Sequence, residues 1–584
     1  MSKVYGIDLG TTYSAIATLN ENGLPEIIEN FADSKPLLAS AVYFPEGDAP
    51  VVGETAKGQL DVTPHLVVQF VKRQIGKPDA RDWTFDGEVY NPIKISSLIL
   101  KRMAEYAGEQ GHEVKDVVLT CPAYFGNEER IATRQAGKIA GLNVIDIVNE
   151  PTSAAFNYLT REFSENRKIM VYDLGGGTFD ITLFDISVED DGKKAIDVIR
   201  TGGDDRLGGA EWDARLFSHI ADLYCDENGI DHDTLESDGE LKQKIRMEVE
   251  AVKIALSQLQ NRAFVIKHDG DTSRLEVTRE KFEEITNDLV ERTINYVNEL
   301  LTQASVSAEE VDIVLLVGGS TKMPMIKTAV EAIFPGKVRF EDPDLAVAKG
   351  AAIAAAIEFN ERIRKFIERE QQGGESGTGD NEPPLGGGME TLFDEDEMPE
   401  TVEEAKQLLK NVVGGNEGGF EVNDILTRAI GTSVMAQTGE TILDNLLYDG
   451  DRSPSEKSEN YIIPGAFANQ PRTSVFVDPI YESKQRQGDE RLILKDAQRN
   501  VVENDPKWLV RQVGQIEIEI PPNSPSDTRL EYTICVRGDG VHVSARNFNN
   551  NQVFNASVES PNLFSKEQLE EEARRMSEIK TRGM

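Results

Sequence analysis

The stretch Val171-Tyr172-Asp173-Leu174-Gly175-Gly176-Gly177-Thr178-Phe179-Asp180 decides how the first part of this 584-residue chain folds. The apolar run 169–172 predicts a buried strand that leads Asp173 into a turn of three glycines, and 179–186 predicts a strand that returns. Because glycine lacks a Cβ, the backbone N–H groups of such a turn approach an anion closely, and nearby carboxylates suit a hydrated Mg²⁺. The stretch therefore predicts a phosphate-binding hairpin, with an ordinary tight turn as the alternative.

Two other segments share this design. The chain opens with Val4-Tyr5-Gly6-Ile7-Asp8-Leu9-Gly10-Thr11-Thr12-Tyr13-Ser14, and residues 314–321 again place two glycines, a serine and a threonine after an apolar strand. Two similar hairpins predict two similar lobes, each presenting one loop to a phosphate chain held between them. Neither a GxxxxGK[ST] loop nor a GxGxxG fingerprint occurs, which excludes the two commonest nucleotide motifs.

Composition limits the classes of partner. The net charge is −40, with 39% hydrophobic and 28% charged residues, which argues against nucleic acid and anionic membranes as partners. The three cysteines, Cys121, Cys225 and Cys535, form no metal-binding or disulfide pattern, so a reducing compartment is expected. The first strand begins near residue 4, and no apolar run reaches membrane-spanning length. We therefore expect a cytoplasmic protein without a signal peptide or membrane anchor.

The pattern changes three times along the chain. Residues 1–365 alternate strands and helices, as in an α/β domain, and residues 366–421 form an acidic, glycine-rich segment expected to be a disordered insert and linker. Residues 422–562 show period-two strands typical of an antiparallel β sandwich. Residues 563–584 predict a short helix that begins with a capping box at Ser565.

Several charged residues in the α/β region have both a functional and an ordinary interpretation. Lys72 is either a ligand for phosphate or a solvated surface charge, and Glu150 lies where α/β ligands bind or simply caps the helix that follows. On the predicted helix 241–259, Glu250, Lys253 and Ser257 share one face. That face either holds a sugar and base or is only solvated.

Taken in order, these motifs resemble the ATPase domain of the 70-kilodalton heat-shock (DnaK-type) chaperone family. The segments that carry the resemblance are 6–14, 71–73, 122–125, 149–152, 173–180, 206–209 and 318–321. Residues 513–545 also resemble the peptide-binding sandwich of that family. The resemblance implies a two-lobed, actin-like α/β ATPase domain, followed by an all-β sandwich and a short C-terminal helix that is a vestigial lid.

The resemblance also implies roles for individual residues, with ATP or ADP, Mg²⁺ and K⁺ as cofactors. The implied catalytic residues are Lys72, Glu150, Asp173, Thr178 and Asp180, and Asp8 and Asp173 would hold Mg²⁺ through water. The residues implied to bind ATP are Asp8, Gly10, Thr11, Thr12, Tyr13, Gly175, Gly176, Gly177, Gly208, Gly209, Glu250, Lys253, Ser257, Gly318, Gly319, Ser320, Lys322 and Asp344. Pro122 and Arg130 would couple the domains, and Val475 and Val477 would contact peptide.

The implied activity is that of a slow ATP hydrolase that binds exposed apolar segments of unfolded proteins and assists folding. The implied partners are a J-domain co-chaperone and a nucleotide-exchange factor. This chain departs from the family pattern in the linker, where Phe420 and Val422 are the only apolar anchors, in its short lid, and at Asp146, where the family carries an arginine used by J-domain partners. The alternative is a nucleotide-regulated interaction module with weak or no ATPase, and a small-molecule kinase is disfavoured by the β domain.

Overall fold

The computed structural model of the chain describes most of the α/β region and much of the β region. The described residues are 4–30, 35–159, 165–188, 194–268, 270–340, 342–371, 420–435, 440–453, 455–462, 468–487, 489–490, 492–495, 501, 510–537, 540–557 and 563–582. Of the segment 366–421, predicted to be a disordered insert and linker, residues 372–419 lie outside the described residues, whereas residues 366–371 are helical and residues 420–421 begin a strand.

The first α/β unit, called unit I, is built around a six-stranded sheet in which β11, β10, β1, β2 and β3 are neighbours and β4 pairs with β2. Its strands are β1 (Tyr5–Asp8), β2 (Tyr13–Leu19), β3 (Pro25–Ile27), β4 (Leu38–Ala39), β5 (Ala41–Tyr43), β6 (Val51–Val52), β7 (Val67–Gln69), β8 (Trp83–Phe85), β9 (Glu88–Tyr90), β10 (Asp116–Cys121) and β11 (Asn143–Asn149). Its helices are α1 (Glu54–Gly58), α2 (Pro92–Gly108), α3 (Asn127–Ile139) and α4 (Glu150–Leu159). β1 and β2 form the predicted antiparallel hairpin.

The second α/β unit, called unit II, repeats this design. Its strands are β12 (Arg167–Leu174), β13 (Phe179–Val188), β14 (Lys194–Asp204), β15 (Asn261–His268), β16 (Asp271–Thr278), β17 (Ile313–Val317) and β18 (Val338–Phe340). Its helices are α5 (Gly209–Asn228), α6 (His232–Ser237), α7 (Gly239–Leu256), α8 (Arg279–Ala304) and α9 (Pro324–Ile333). β12 and β13 form the antiparallel hairpin predicted from the opening stretch, and β17 runs parallel to β12.

A long helix, α10 (Ala346–Gln371), packs against β1 of unit I and α4. Its alanines are buried against small residues of β2, since Ala348 and Ala352 share one apolar cluster with Ala15 and Ala17. Small side chains let a helix approach a sheet closely, as the alanine-rich sequence predicts. The helix continues beyond residue 358, where the sequence pattern placed its end.

The β region forms two facing sheets. Its strands are β19 (Phe420–Ile425), β20 (Ala429–Met435), β21 (Thr441–Leu447), β22 (Arg452–Ser453), β23 (Ser455–Ile462), β24 (Ser474–Ser483), β25 (Ile493–Lys495), β26 (Arg511–Ile520), β27 (Arg529–Arg537), β28 (Gly540–Asn547) and β29 (Val553–Ser557). One sheet has the order β25-β21-β20-β24-β26 and the other β23-β27-β28-β29. Alternate residues such as Ile516, Ile518 and Ile534 fill the core between them, as the period-two pattern predicts.

A strand of the β region and the C-terminal helix both pack on the α/β units. β19 pairs in parallel with β14, so the unit II sheet runs in the order β18-β17-β12-β13-β14-β19-β22. The helix α11 (Lys566–Glu578) packs against α3 of unit I. The capping box is present: Ser565 and Gln568 exchange both hydrogen bonds. None of the described helices has the length and apolar character needed to span a bilayer.

Candidate functional site

The three glycine turns meet at a single cleft between units I and II. Each turn follows the carboxyl end of a buried strand, namely β1, β12 and β17, and the cleft encloses about 1240 Å³. The predicted residues that line it are Asp8, Gly10, Thr11, Thr12, Tyr13, Lys72, Glu150, Asp173, Gly175, Gly176, Thr178, Glu250, Lys253, Ser257, Gly318, Gly319, Ser320, Lys322 and Asp344. Motifs that are far apart in sequence thus form one concave site, as expected for ligand binding.

Two glycines are required by the way the turns approach one another. A Cβ on Gly176 would overlap the side chain of Thr12, so the turn of unit II can touch that of unit I only without a side chain there. Gly318 has φ +82°, a left-handed conformation that side chains disfavour, and a Cβ on it would overlap the carbonyl of Leu174. Ser320 then donates a hydrogen bond of 2.9 Å to the Gly175 carbonyl and joins the second turn to the third.

The remaining predicted glycines lie behind the cleft wall. Arg73 donates from Nε to the Gly177 carbonyl (2.9 Å), and its Nη2 pairs with Glu211 at 2.8 Å. The Gly208 N–H donates to the same Glu211 carboxylate at 2.7 Å. Gly177, Gly208 and Gly209 therefore support the turns, Gly209 by donating its N–H to the Gly175 carbonyl, and their contact with ATP stays a prediction.

The centre of the cleft holds one buried ion pair surrounded by carboxylates. The Lys72 ammonium donates to the Glu150 carboxylate, and both side chains are buried. Asp8 accepts a hydrogen bond of 3.1 Å from Thr120 Oγ1. Burial excludes the interpretation of Lys72 as a solvated surface charge, whereas Glu150 is the first residue of α4 and its role at the site stays a prediction.

Burial and mutual repulsion shift the pKa values of these acids. Burial, together with the neighbouring Glu150, raises the pKa of Asp8 to about 7. Burial and the same glutamate raise the pKa of Asp173 well above its ordinary value. Burial opposes the charge on Lys72, yet Glu150 and Asp8 outweigh it and raise the pKa of the lysine. Carboxyls outnumber the single ammonium at this site, so a bound cation would stabilise their charged forms.

The donor set fits Mg²⁺ held through water and phosphate oxygens. Asp8 and Asp173 provide hard carboxylate oxygens on facing turns, which is the ligand type that Mg²⁺ prefers. Among the described residues, no group of three His, Cys, Asp or Glu side chains is arranged to hold a metal ion directly.

Thr178 and Asp180 lie on either side of the wall. Thr178 lines the cleft, and Tyr124 interacts with its side chain by a hydrogen bond. The Asp180 carboxylate lies behind the wall, where it accepts a hydrogen bond of 2.8 Å from the Ala123 N–H. Asp180 therefore connects the hairpin of unit II with the turn after Pro122, and its catalytic role stays a prediction.

The far end of the cleft is lined by α7. Lys57 of α1 pairs with Glu250 of α7 at 2.5 Å across the cleft, and it donates to the Tyr13 hydroxyl at 2.8 Å. Lys253 pairs with Asp213 at 2.8 Å. Lys322 and Asp344, which also line the cleft, form an ion pair.

The sequence did not single out Lys57 or Asp213. No local pattern marks either residue, because a lysine on a five-residue helix and an aspartate on a long one are ordinary surface features.

Comparison with known proteins identifies the family. Residues 4–367 match the family described as Hsp70 protein. This chain belongs to the Hsp70 family. Its Hsp70 relatives include the "Chaperone protein DnaK" of Thermotoga neapolitana, Thermotoga petrophila and Thermotoga maritima, each 39% identical over 366 residues. Each match covers 61% of this chain and 59% of the relative. The resemblance drawn from the motifs is therefore confirmed.

Pro122 and Arg130 of this Hsp70 chain lie where the sandwich meets unit I. Arg130 donates to the Asn149 side chain and, at 3.2 Å, to the Phe125 carbonyl. Thr427, at the edge of the sandwich, donates to the same carbonyl at 3.3 Å. The turn 122–125 thus contacts both the sandwich and, through Ala123, the Asp180 carboxylate behind the cleft.

Three other residues named from the sequence lie away from the Hsp70 cleft. Val475 and Val477 of β24 are 49% and 43% exposed and face solvent rather than the sandwich core. Their contact with peptide stays a prediction. Asp146 of β11 lies 3.9 Å from Arg134 of α3, within unit I.

Proposed function

We propose that this Hsp70 family member is an ATP-dependent chaperone. Its two α/β units are the lobes of an actin-like ATPase that hydrolyses ATP slowly, and its sandwich binds extended apolar segments of unfolded proteins. The observation that carries the proposal is the buried Lys72–Glu150 pair between Asp8 and Asp173, at the point where three glycine turns meet. The relatives that match residues of this chain are chaperone protein DnaK, which agrees with the proposal.

The residues present suit in-line transfer of a phosphoryl group to water, in which positioning and charge neutralisation do most of the catalysis. Lys72 would bind the terminal phosphate and the attacking water. Glu150 would orient that water and accept its proton on the carboxylate. Thr178 and the N–H groups of the glycine turns would hold the phosphate oxygens. Mg²⁺, held by Asp8 and Asp173 through water, would neutralise phosphate charge.

Contacts on both units support coupling between the cleft and the sandwich. β19 adds to the unit II sheet through β14, and Arg200 of β14 pairs with Asp449 beyond β21 at 3.4 Å. On the other side, Asn127 of unit I donates to Glu482 of β24 at 3.1 Å. A change in the angle between units I and II must therefore alter at least one of these contacts. The partners proposed are unfolded polypeptide segments, a J-domain co-chaperone and a nucleotide-exchange factor, in the cytoplasm.

The decisive experiment measures dissociation of a fluorescent apolar peptide before and after adding MgATP. Wild type, Thr178→Ala and the exposed control Thr302→Ala are compared, with ATP turnover measured in parallel. We expect ATP to accelerate peptide release in wild type and in Thr302→Ala, and to do so less in Thr178→Ala. Peptide binding that is indifferent to ATP, with little turnover, would instead support a nucleotide-regulated module for dedicated partners.

A further inference from the structure

Residues 563–582, called the clasp, bind along unit I and not only through the helix α11. Near the start, the Gln135 side chain donates to the Phe564 carbonyl (2.8 Å) and accepts from the Phe564 N–H (3.0 Å). In the middle, Met576 is 3% exposed in the core of unit I, and Glu572 pairs with Lys94 at 2.9 Å. The clasp is therefore anchored by apolar burial and by polar contacts at two separate places.

The last described residues of the clasp extend a small sheet of unit I. Arg582 forms a parallel bridge with Val51 of β6. Its N–H donates to the Pro50 carbonyl at 3.1 Å, and its carbonyl accepts from the Val52 N–H at 2.9 Å. The Arg582 side chain pairs with Asp48 at 2.7 Å. β6 is only two residues long and pairs with β5 along one edge. Arg582 of the clasp pairs with the other edge of β6.

β6 leads directly into the element that spans the cleft. Val52 is followed by Gly53 and then by α1, which carries Lys57. Lys57 is the residue that pairs with Glu250 of unit II across the cleft and donates to Tyr13. Both Lys57 and Glu250 line the cavity. Because only a few residues separate β6 from Lys57, a displacement of β6 would also move the Lys57–Glu250 contact between the two units.

We propose that the clasp, through the pairing of Arg582 with β6, positions α1 so that the Lys57–Glu250 pair keeps the cleft closed over its nucleotide. The clasp is then a positioning element that slows nucleotide release. This inference rests on the proposed nucleotide site. It concerns retention of the nucleotide rather than hydrolysis or peptide binding.

The test measures dissociation of a fluorescent ADP analogue by stopped flow, with excess unlabelled ATP as the chase. Removing residues 581–584 should accelerate dissociation roughly three- to tenfold, because two backbone hydrogen bonds to β6 and the hydrogen bond from Thr581 to Glu105 are lost. Arg582→Pro should also accelerate dissociation, since proline lacks the N–H that donates to the Pro50 carbonyl. Arg582→Ala keeps that N–H and loses only an exposed ion pair, so its rate should stay near wild type.

A second comparison separates this role from general support of the fold. Lys57→Ala should accelerate dissociation by itself, and removing 581–584 in that background should add nothing, because both changes act on the same contact. Arg574→Ala, at an exposed position on α11, is the control, because like Lys57→Ala it removes one positive charge. Thermal melts confirm that each variant is folded.

Two kinds of negative result would have different meanings. An unchanged rate after removal of 581–584, or an equal acceleration in the Lys57→Ala background, would overturn the role of the clasp while leaving the nucleotide site intact. A wild-type chain that binds no labelled nucleotide would instead contradict the proposed function on which the clasp depends.

Discussion

Arg511 of β26 lies 3.0 Å from the carboxylate of Glu129 on α3, so one guanidinium joins the sandwich to unit I. The same guanidinium pairs with Glu128 at 3.2 Å and with Glu482 of its own sheet at 2.6 Å. All three carboxylates are buried. At the junction between the sandwich and unit I, this arginine therefore compensates several buried negative charges.

Arg511→Ala should destabilise the protein by about 3 kcal/mol, because removing one partner of a buried ion pair leaves uncompensated charge. Thermal unfolding measures the loss, and Arg472→Ala, at an exposed position of the β region, is the control. A double-mutant cycle with Glu129→Gln should show strong coupling. Purely additive effects of the two substitutions would show that this contact does not hold the junction together.

Lys72→Ala should lower ATP turnover by about 100-fold or more, because the variant loses the cation at the reacting phosphate. ATP affinity should change by less than about tenfold, because the glycine turns and α7 still hold the nucleotide. Single-turnover hydrolysis and equilibrium titration measure the two quantities separately. Lys115→Ala, an exposed lysine of unit I, is the control, and normal turnover in Lys72→Ala would rule out the role assigned to Lys72.

Asp8→Asn should make the nucleotide-free and metal-free protein more stable at pH 8. Burial raises the folded pKa of Asp8 from 3.8 to about 7, so between those values the folded chain binds a proton that the unfolded chain has released. This carboxyl therefore opposes folding increasingly as the pH rises through that window, and its full cost remains above pH 7.

The melting temperature of Asp8→Asn should exceed that of wild type by about 3 °C or more at pH 8, and by much less at pH 4. Asp79→Asn, at an exposed position, controls for the loss of one negative charge. If the difference between Asp8→Asn and wild type were the same at both pH values, burial would not be raising the pKa of Asp8.

Gly176→Ala should weaken nucleotide binding by about tenfold or more, because its Cβ would force the turn of unit II away from Thr12 and displace the N–H groups proposed to bind phosphate. Gly108→Ala, where a Cβ would meet nothing within 4 Å, is the matched control. Titration with a fluorescent nucleotide measures both variants. Wild-type affinity in Gly176→Ala would show that the two turns are not in close contact around the ligand.

Much of the fold and of the cleft could be predicted from local sequence. Both hairpins, the strand before Gly318 and the sandwich strands around Ile516 and Ile534 follow from apolar runs and period-two alternation. The helix α10 is the exception: it runs to Gln371 although its alanine-rich part ends near 358, because helix propensity continues in the polar residues that follow. Local pattern thus predicts which elements exist better than where they end.

The sequence by itself determined the three glycine turns, the acids and the lysine (Lys72) beside them, and the family. Each of these features is encoded by a short run of neighbouring residues. Only the tertiary structure decided that Lys57 meets Glu250, 193 positions away, and that Arg582 meets Asp48, 534 positions away. It likewise placed Arg511 among three buried glutamates. Such contacts depend on how separate elements pack, and no local periodicity specifies which distant charges are brought together when the core closes.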